Sequence, residues 1–141
     1  MSDVFLSYAR ADEDRAEIFR EILEAEGWDV WWDREIRLGE SWNDALEAAL
    51  ASSKVIVVLW TESSVTRDFV MREASYAAKH EKLIGVRLEP CEVDRDLAQL
   101  EMAELDGWQC EPYHHEFQNL LKSLEARAPG GSTILRHRRL R

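Results

Sequence analysis

Four short runs rich in β-branched and aromatic residues, Asp3 to Ser7, Trp28 to Trp32, Lys54 to Trp60 and Lys82 to Leu88, alternate with stretches whose apolar residues recur at helical spacing. Each run is bounded by polar punctuation and reads as a strand. Between the first two, Ala16, Phe19, Ile22 and Leu23 follow the acidic turn Asp12-Glu13-Asp14, and Gly27 stands where a helix ends. Ser41 is placed to cap a second helix in which Trp42, Ala45, Leu46 and Ala49 share a face, with Asp44 completing a capping-box-like pattern. A third helix is predicted from Arg67 to His80. A weak fifth strand around Glu104 to Trp108 and an amphipathic helix from Tyr113 to Ala126, with Phe117, Leu120, Leu121 and Leu124 inward, finish the order. Strict alternation over 141 residues demands parallel strands, right-handed crossovers and helices on both faces. The expected architecture is therefore α/β: a doubly wound, flavodoxin-like five-stranded parallel sheet of order 2-1-3-4-5. Such a sheet works at the carboxyl ends of its strands, at the switch point between the first and third. Ser7-Tyr8-Ala9-Arg10 and Trp60-Thr61-Glu62 should line that crevice.

Charge narrows the partners. The chain has 18 basic and 28 acidic residues, and Arg136, Arg138, Arg139 and Arg141 all lie in an acid-free tail, so residues 1–127 hold 14 basic against 28 acidic, or −14. A body that acidic repels a phosphate backbone, which argues against nucleic-acid binding by the domain itself. The longest apolar run, Val55 to Trp60, falls far short of the ~20 residues that cross a bilayer, so no membrane association is expected. Met1-Ser2-Asp3 leads into the first strand without a basic region or an apolar leader, and Cys91 and Cys110 form neither a CxxC pair nor a disulfide framework. The expectation is a cytoplasmic protein with reduced thiols. One domain is expected over 1–127, and 128–141, entered through Pro129-Gly130-Gly131-Ser132, reads as a basic linker or tail, either a solvated stub or a contact for nucleic acid or a membrane surface.

Several functions common on doubly wound sheets fail at the switch point. Dinucleotide and P-loop sites need a glycine-rich turn after the first strand, and Ser7-Tyr8-Ala9-Arg10-Ala11 has no glycine. A phospho-receiver needs an acidic cluster at the ends of the first and third strands, but the third ends in Trp60. A GxSxG nucleophile elbow is absent. Cys110, His114, His115 and Glu116 do not make a metal site, because adjacent histidines on a helix diverge by about 100° and no second cluster completes a ligand set. The acidic stretch Glu89 to Asp96 reads as a solvated loop with a short turn.

Over residues 2–127 the sequence resembles a TIR (Toll/interleukin-1 receptor) domain of the bacterial kind. Asp3-Val4-Phe5-Leu6-Ser7-Tyr8 is similar to the family's first box, a strand ending in Ser-Tyr. Gly27-Trp28-Asp29-Val30-Trp31-Trp32-Asp33, then Ile36, Leu38-Gly39 and Trp42, resemble the second strand and its BB loop. Val55 to Trp60, Ser63-Ser64-Val65 and Phe69-Val70-Met71-Arg72-Glu73-Ala74 resemble the third strand and the Trp-x-x-x-Glu helix. Phe69 replaces the usual Trp and keeps an aromatic surface there. Leu38-Gly39 stands where animal adaptors often carry Pro-Gly, which argues against animal-type receptor signalling.

The resemblance implies an NAD+ glycohydrolase that cleaves the nicotinamide-ribose bond through Glu73, giving nicotinamide and either ADP-ribose or a cyclic isomer, with NAD+ as substrate and no cofactor or metal. One carboxylate suffices for such chemistry. Nicotinamide leaves a pyridinium as a neutral base, so no general acid is required, unlike the paired carboxylates of ordinary glycosidases. On a helical wheel Glu73 lies about 60° from Val70 and about 40° from Ala77, at the edge of the buried face, where it either serves the site or pairs with an arginine of the next element. Trp60 either stacks on a base or caps the sheet as a core residue. Tyr8 and Arg10 are in reach of a ribose or pyrophosphate, with a surface ion pair the alternative for Arg10. Ser7 and Phe69 are expected in the same nucleotide pocket, and Asp33 binds there or only caps the loop. Ile36, Arg37, Leu38, Gly39 and Glu40 read as a lid or subunit contact, or as an ordinary mobile loop. The implied partners are other TIR domains in a homo-oligomer or filament, with a fused or separate sensor domain, in bacterial defence or signalling. A non-catalytic TIR-TIR adaptor module, binding through the loop and the Ser63 to Arg72 surface, is the rival reading.

Overall fold

The computed structural model describes residues 3–32, 44–109, 111 and 113–129. The alternation is realised as β1 (Val4–Ser7), α1 (Glu13–Glu26), β2 (Val30–Trp32), α2 (Asp44–Ser52), β3 (Val55–Trp60), α3 (Asp68–Lys79), β4 (Leu83–Arg87), α4 (Arg95–Ala98), β5 (Met102–Glu104) and α5 (His115–Arg127). The five strands form one parallel sheet of order β2-β1-β3-β4-β5. Both the flavodoxin-like architecture and the strand order are as the sequence indicates. Among the described residues, no helix is long and apolar enough to cross a membrane.

Successive residues of a strand face opposite sides of the sheet, and each side here has its own apolar layer. Val55, Val57 and Leu59 join Val4, Leu6, α1 and α5 in one layer. Ile56, Val58 and Trp60 join Phe5, α2, α3 and α4 in the other. That explains why β3 is an unbroken apolar run, buried at all six positions. Burial of each such Val, Leu or Ile contributes ~1.5–3 kcal/mol. The double tryptophan of β2 holds this three-residue edge strand from both sides. Trp31 stacks on Phe5, with centroids 5.0 Å apart. Trp32 meets Tyr8 at 5.9 Å and lies under the Arg20 guanidinium at 4.6 Å.

Gly27 ends α1 with φ 113, and its N–H donates to the Glu24 carbonyl, so a left-handed residue is required where the sequence has glycine. At Gly85 of β4 the requirement is close approach. A Cβ there would stand 2.8 Å from Trp60 Nε1 and 2.9 Å from Met102 Sδ. Lys82 donates through Nζ to the carbonyls of Leu50 and Ala51 at 3.0 Å each, satisfying acceptors at the end of α2.

Several boundaries differ from expectation, β2 starting at Val30 rather than Trp28 and α5 at His115 rather than Tyr113 among them. The last strand is Met102–Glu104 rather than Glu104 to Trp108, because its pairing with β4 starts at Met102 opposite Gly85 and the chain turns at Asp106 and Gly107. Leu105 and Trp108 still pack into the core from beyond the strand. Ala128, expected to start the tail, is 1% exposed, and its carbonyl accepts the Trp28 indole N–H at 3.0 Å. Residues 130–141 lie outside the described residues, as do 41–43, where the second helix was expected to start.

Candidate functional site

The inward stripe of α3 is Val70, Glu73, Ala74 and Ala77, the i, i+3, i+4, i+7 spacing of a buried helix face with a carboxylate in place of one aliphatic side chain. Glu73 is 1% exposed, deeper than the edge position read from the helical wheel. It meets Ser7, the last residue of β1. The Ser7 hydroxyl donates to Glu73 Oε1 at 2.5 Å across 66 residues of sequence, and Ser7 is itself 0% exposed. Because Phe5 faces the α2 and α3 layer, Ser7 two positions on faces it as well, which brings its hydroxyl to the helix. An ionised carboxylate in such surroundings is costly unless hydrogen-bonded, and a bond to a charged acceptor contributes ~1.5–3 kcal/mol.

The other predicted residues separate by the same alternation. Tyr8 belongs to the opposite layer, 3% exposed against Trp32, so strand parity keeps its ring away from Glu73. Trp60 is 0% exposed and packed over Gly85, the core alternative of the two read from the sequence, with no ring face open to a ligand. Its indole Nε1 has no hydrogen-bond partner among the described residues. Arg10 lies exposed on a short 3-10 turn, Arg10–Asp12, just beyond the end of β1. Phe69 is one turn before Glu73 and 37% exposed. Asp33, Ile36, Arg37, Leu38, Gly39 and Glu40 lie outside the described residues.

A second set of buried polar side chains, not anticipated from the sequence, ties the strand ends together. Thr61, directly after β3, donates its hydroxyl to Asp12 Oδ2 at 2.6 Å. Its backbone N–H donates to Ser64 Oγ at 2.8 Å, and the Ser64 N–H returns to Thr61 Oγ1 at 3.1 Å. Thr61, expected to line the crevice with Trp60 and Glu62, is instead 1% exposed within this set, and the sequence reads Asp12 only as an acidic first-turn residue. Just outside, Glu89 accepts from the Glu62 N–H at 3.1 Å and from Arg15 at 2.8 Å, and these bonds hold its carboxyl below the usual range. Burial pushes the Cys91 thiol up, partly offset by a hydrogen bond with Arg87. His114 caps α5 through Nδ1, which accepts the Glu116 N–H at 3.2 Å. Among the described residues, no three His, Cys, Asp or Glu side chains are grouped as metal ligands. A cleft of about 340 Å³ with a mixed lining opens beside Arg15, Ile18, Phe19, Leu105, Trp108 and Gln109, on the opposite layer from Glu73.

The fold and this site define a doubly wound α/β domain with a buried carboxylate at the switch point between its first and third strands. A sequence model of the TIR domain matches residues 4–121. The chain belongs to the TIR-domain family. No curated protein matches it. Its fold is similar to that of the TIR domain of the Toll-related receptor TRR-2 from Hydra magnipapillata, at 18% identity over 89% of this chain and 99% of that one, with a TM-score of 0.75. It is also similar to a metazoan TIR-STING receptor from C. gigas in complex with 2′,3′-cGAMP, at 21% identity and a TM-score of 0.69, covering 91% of this chain. This chain spans 40% of that receptor's length. The TIR domains of the activated Roq1 resistosome, which recognises the effector XopQ, match at 21% identity over 89% of this chain and 72% of that one, with a TM-score of 0.52. At these identities the likeness is one of fold.

Proposed function

We propose that this TIR domain is an NAD+ glycohydrolase in which Glu73 is the catalytic carboxylate. The observation that carries the reading is the burial of Glu73 against Ser7 at the end of β1, the position at which a doubly wound sheet works. A carboxylate held in a dry site fits a reaction whose transition state gains positive charge on a ribose. In that reaction the C1′–N bond breaks and its electron pair leaves with nicotinamide as a neutral base. Water then adds to C1′ and loses a proton, giving ADP-ribose, or an internal nucleophile closes the ring to a cyclic isomer. Glu73 holds ribose hydroxyls and stabilises the oxocarbenium-like state. Arg10 and Phe69, both exposed near the ends of β1 and α3, are assigned to the nucleotide, and the loop 36–40 to gating or to a neighbouring TIR domain. Self-association then completes the site. The proposed setting is cytoplasmic defence or signalling, with a sensor in the same chain or a partner.

Nicotinamide release from NAD+, followed by chromatography over a wide range of protein concentration, tests this. Activity that rises more steeply than linearly with protein, and that Glu73→Gln abolishes without changing assembly, is the expected result. No release at any concentration would transfer the assignment to the adaptor reading, under which Glu73→Gln has no phenotype.

A further inference from the structure

Ser7 offers one hydroxyl proton, and the structure directs it at Glu73 Oε1 at 2.5 Å rather than toward the crevice. While that bond persists, the proton is not free to bind a ribose or phosphate oxygen. Both partners are at least 99% buried, and each is on a regular element: Ser7 closes a strand paired to β3 through Val58, and Glu73 is mid-helix. A glutamate has three side-chain torsions, and ordering them costs ~1.5–2 kcal/mol. The Ser7 hydroxyl bond offsets part of that cost at the carboxylate itself.

We infer that Ser7 is a positioning residue for the Glu73 carboxylate, fixing its plane against the end of β1, and is not a substrate-binding residue. The inference rests on the proposed NAD+ cleavage for its kinetic readout, though not for its geometric one. It corrects the substrate-contact role that the sequence suggested for Ser7. A group that places the reacting carboxylate acts where geometry matters most, in the transition state, so its loss lowers kcat and leaves KM nearly unchanged. Loss of a substrate contact made equally in both states does the reverse.

The test compares Ser7→Ala, Ser7→Cys and Ser7→Thr in the full chain. Cysteine nearly preserves the volume but is a weak donor, and threonine restores the hydroxyl. A fall in kcat of roughly 10- to 100-fold in the Ala and Cys variants, with KM within about threefold and recovery in Ser7→Thr, is expected. A raised KM with kcat retained would overturn the inference, as would unchanged kinetics in Ser7→Ala. Melting curves and the near-isosteric cysteine separate this effect from failure to fold. Should the wild type not cleave NAD+, the function reading fails by itself, and the positioning claim is read from the 13Cδ NMR signal of Glu73, assigned against Glu73→Gln. That signal should move and broaden in Ser7→Ala and return in Ser7→Thr. A signal identical in all three proteins would refute the pairing.

Discussion

Gly85→Ala tests whether Trp60 is a core residue or a wall of the nucleotide site. The added Cβ would lie 2.8 Å from Trp60 Nε1, 3.1 Å from Trp60 Cδ1 and 2.9 Å from Met102 Sδ. Ordinary contacts between such atoms begin near ~3.5 Å, so the overlap is about 0.4–0.7 Å at three atoms. Met102 is only partly buried and its thioether end can swing away. Trp60 is 0% exposed and enclosed by the α2 and α3 layer, so the indole cannot turn aside without displacing a helix. Overpacking of this kind costs ~1–3 kcal/mol, and the upper half applies where a rigid ring must move. Reduced freedom of the unfolded chain returns ~0.4–1 kcal/mol to the alanine variant. The net expectation is a loss of roughly 1–2.5 kcal/mol, which is about 3–10 °C in melting temperature for a domain of this size. Trp60→Val removes the whole ring, including the two atoms, Nε1 and Cδ1, that make the clash, and it also deletes an indole N–H that is buried without a partner among the described residues. The pair should therefore be strongly non-additive, with Gly85→Ala nearly neutral in the Trp60→Val background. Urea unfolding followed by circular dichroism at 222 nm measures all four proteins. Additive losses, or a Gly85→Ala variant as stable as the parent, would refute the packing argument and reopen Trp60 as a ligand-facing residue.

Two further variants probe the rim and the helix ends. Glu89 has a folded-state pKa lowered first by the Glu62 N–H bond and then by Arg15, so its stabilisation is fully present above the unfolded value near 4.5 and is lost as pH falls through the folded value. The gap in urea midpoint between the parent and Glu89→Gln should accordingly close between pH 7 and pH 3, and a gap independent of pH would contradict the assignment. Glu81 is a non-glycine residue at φ 57, held there where α3 ends with its N–H on the Ala78 carbonyl. Glu81→Gly removes a left-handed penalty of ~1–2 kcal/mol against ~0.4–1 kcal/mol of added unfolded-state entropy, so thermal melting should rise by a few degrees; a lower melting temperature would refute this.

The sheet was legible because its signals are redundant: runs of β-branched residues, Gly27 at a helix end and a five-fold alternation all point to one topology. Glu73 was legible through its resemblance to the Trp-x-x-x-Glu helix, whereas the helical wheel put it only at the edge of the stripe Val70, Ala74 and Ala77 that it proves to share. The residues around it were not. Both faces of a parallel sheet are buried, so β1 is apolar at successive positions and its sequence does not announce which side is core and which is crevice. Ser7 and Tyr8, adjacent and both polar-capable, therefore looked like members of one site although alternation sends them to opposite layers. Trp60 was ambiguous for the same reason, and its packing depends on a glycine 25 positions later, which no local pattern reveals. Asp12 and Thr61 are 49 residues apart and meet only because β1 and β3 are neighbours.

That last contact bears on how the carboxylate reaches its place. Glu73 meets Ser7 only if α3 leaves the sheet at the right angle, and the segment that sets this angle runs from Thr61 to Arg67. Thr61 is bonded to Asp12 at the head of α1 and to Ser64 in both directions. Glu62 is bonded through its N–H to Glu89, which Arg15 of α1 also holds. Ser64 accepts the Arg67 N–H through its carbonyl, and the Arg67 carbonyl accepts from Met71 in the first turn of α3. The departure of α3 is thus fixed against α1 and against the loop after β4 by side-chain bonds that are independent of Ser7. Ser7 closes β1 and Asp12 follows five residues later at the head of α1, so the same segment of chain both receives Glu73 and anchors the turn that delivers it. A carboxylate supported in this way is held from two directions, by its own hydrogen bond and by the course of its helix. A perturbation of the Asp12 and Thr61 bond would therefore act on Glu73 without touching it.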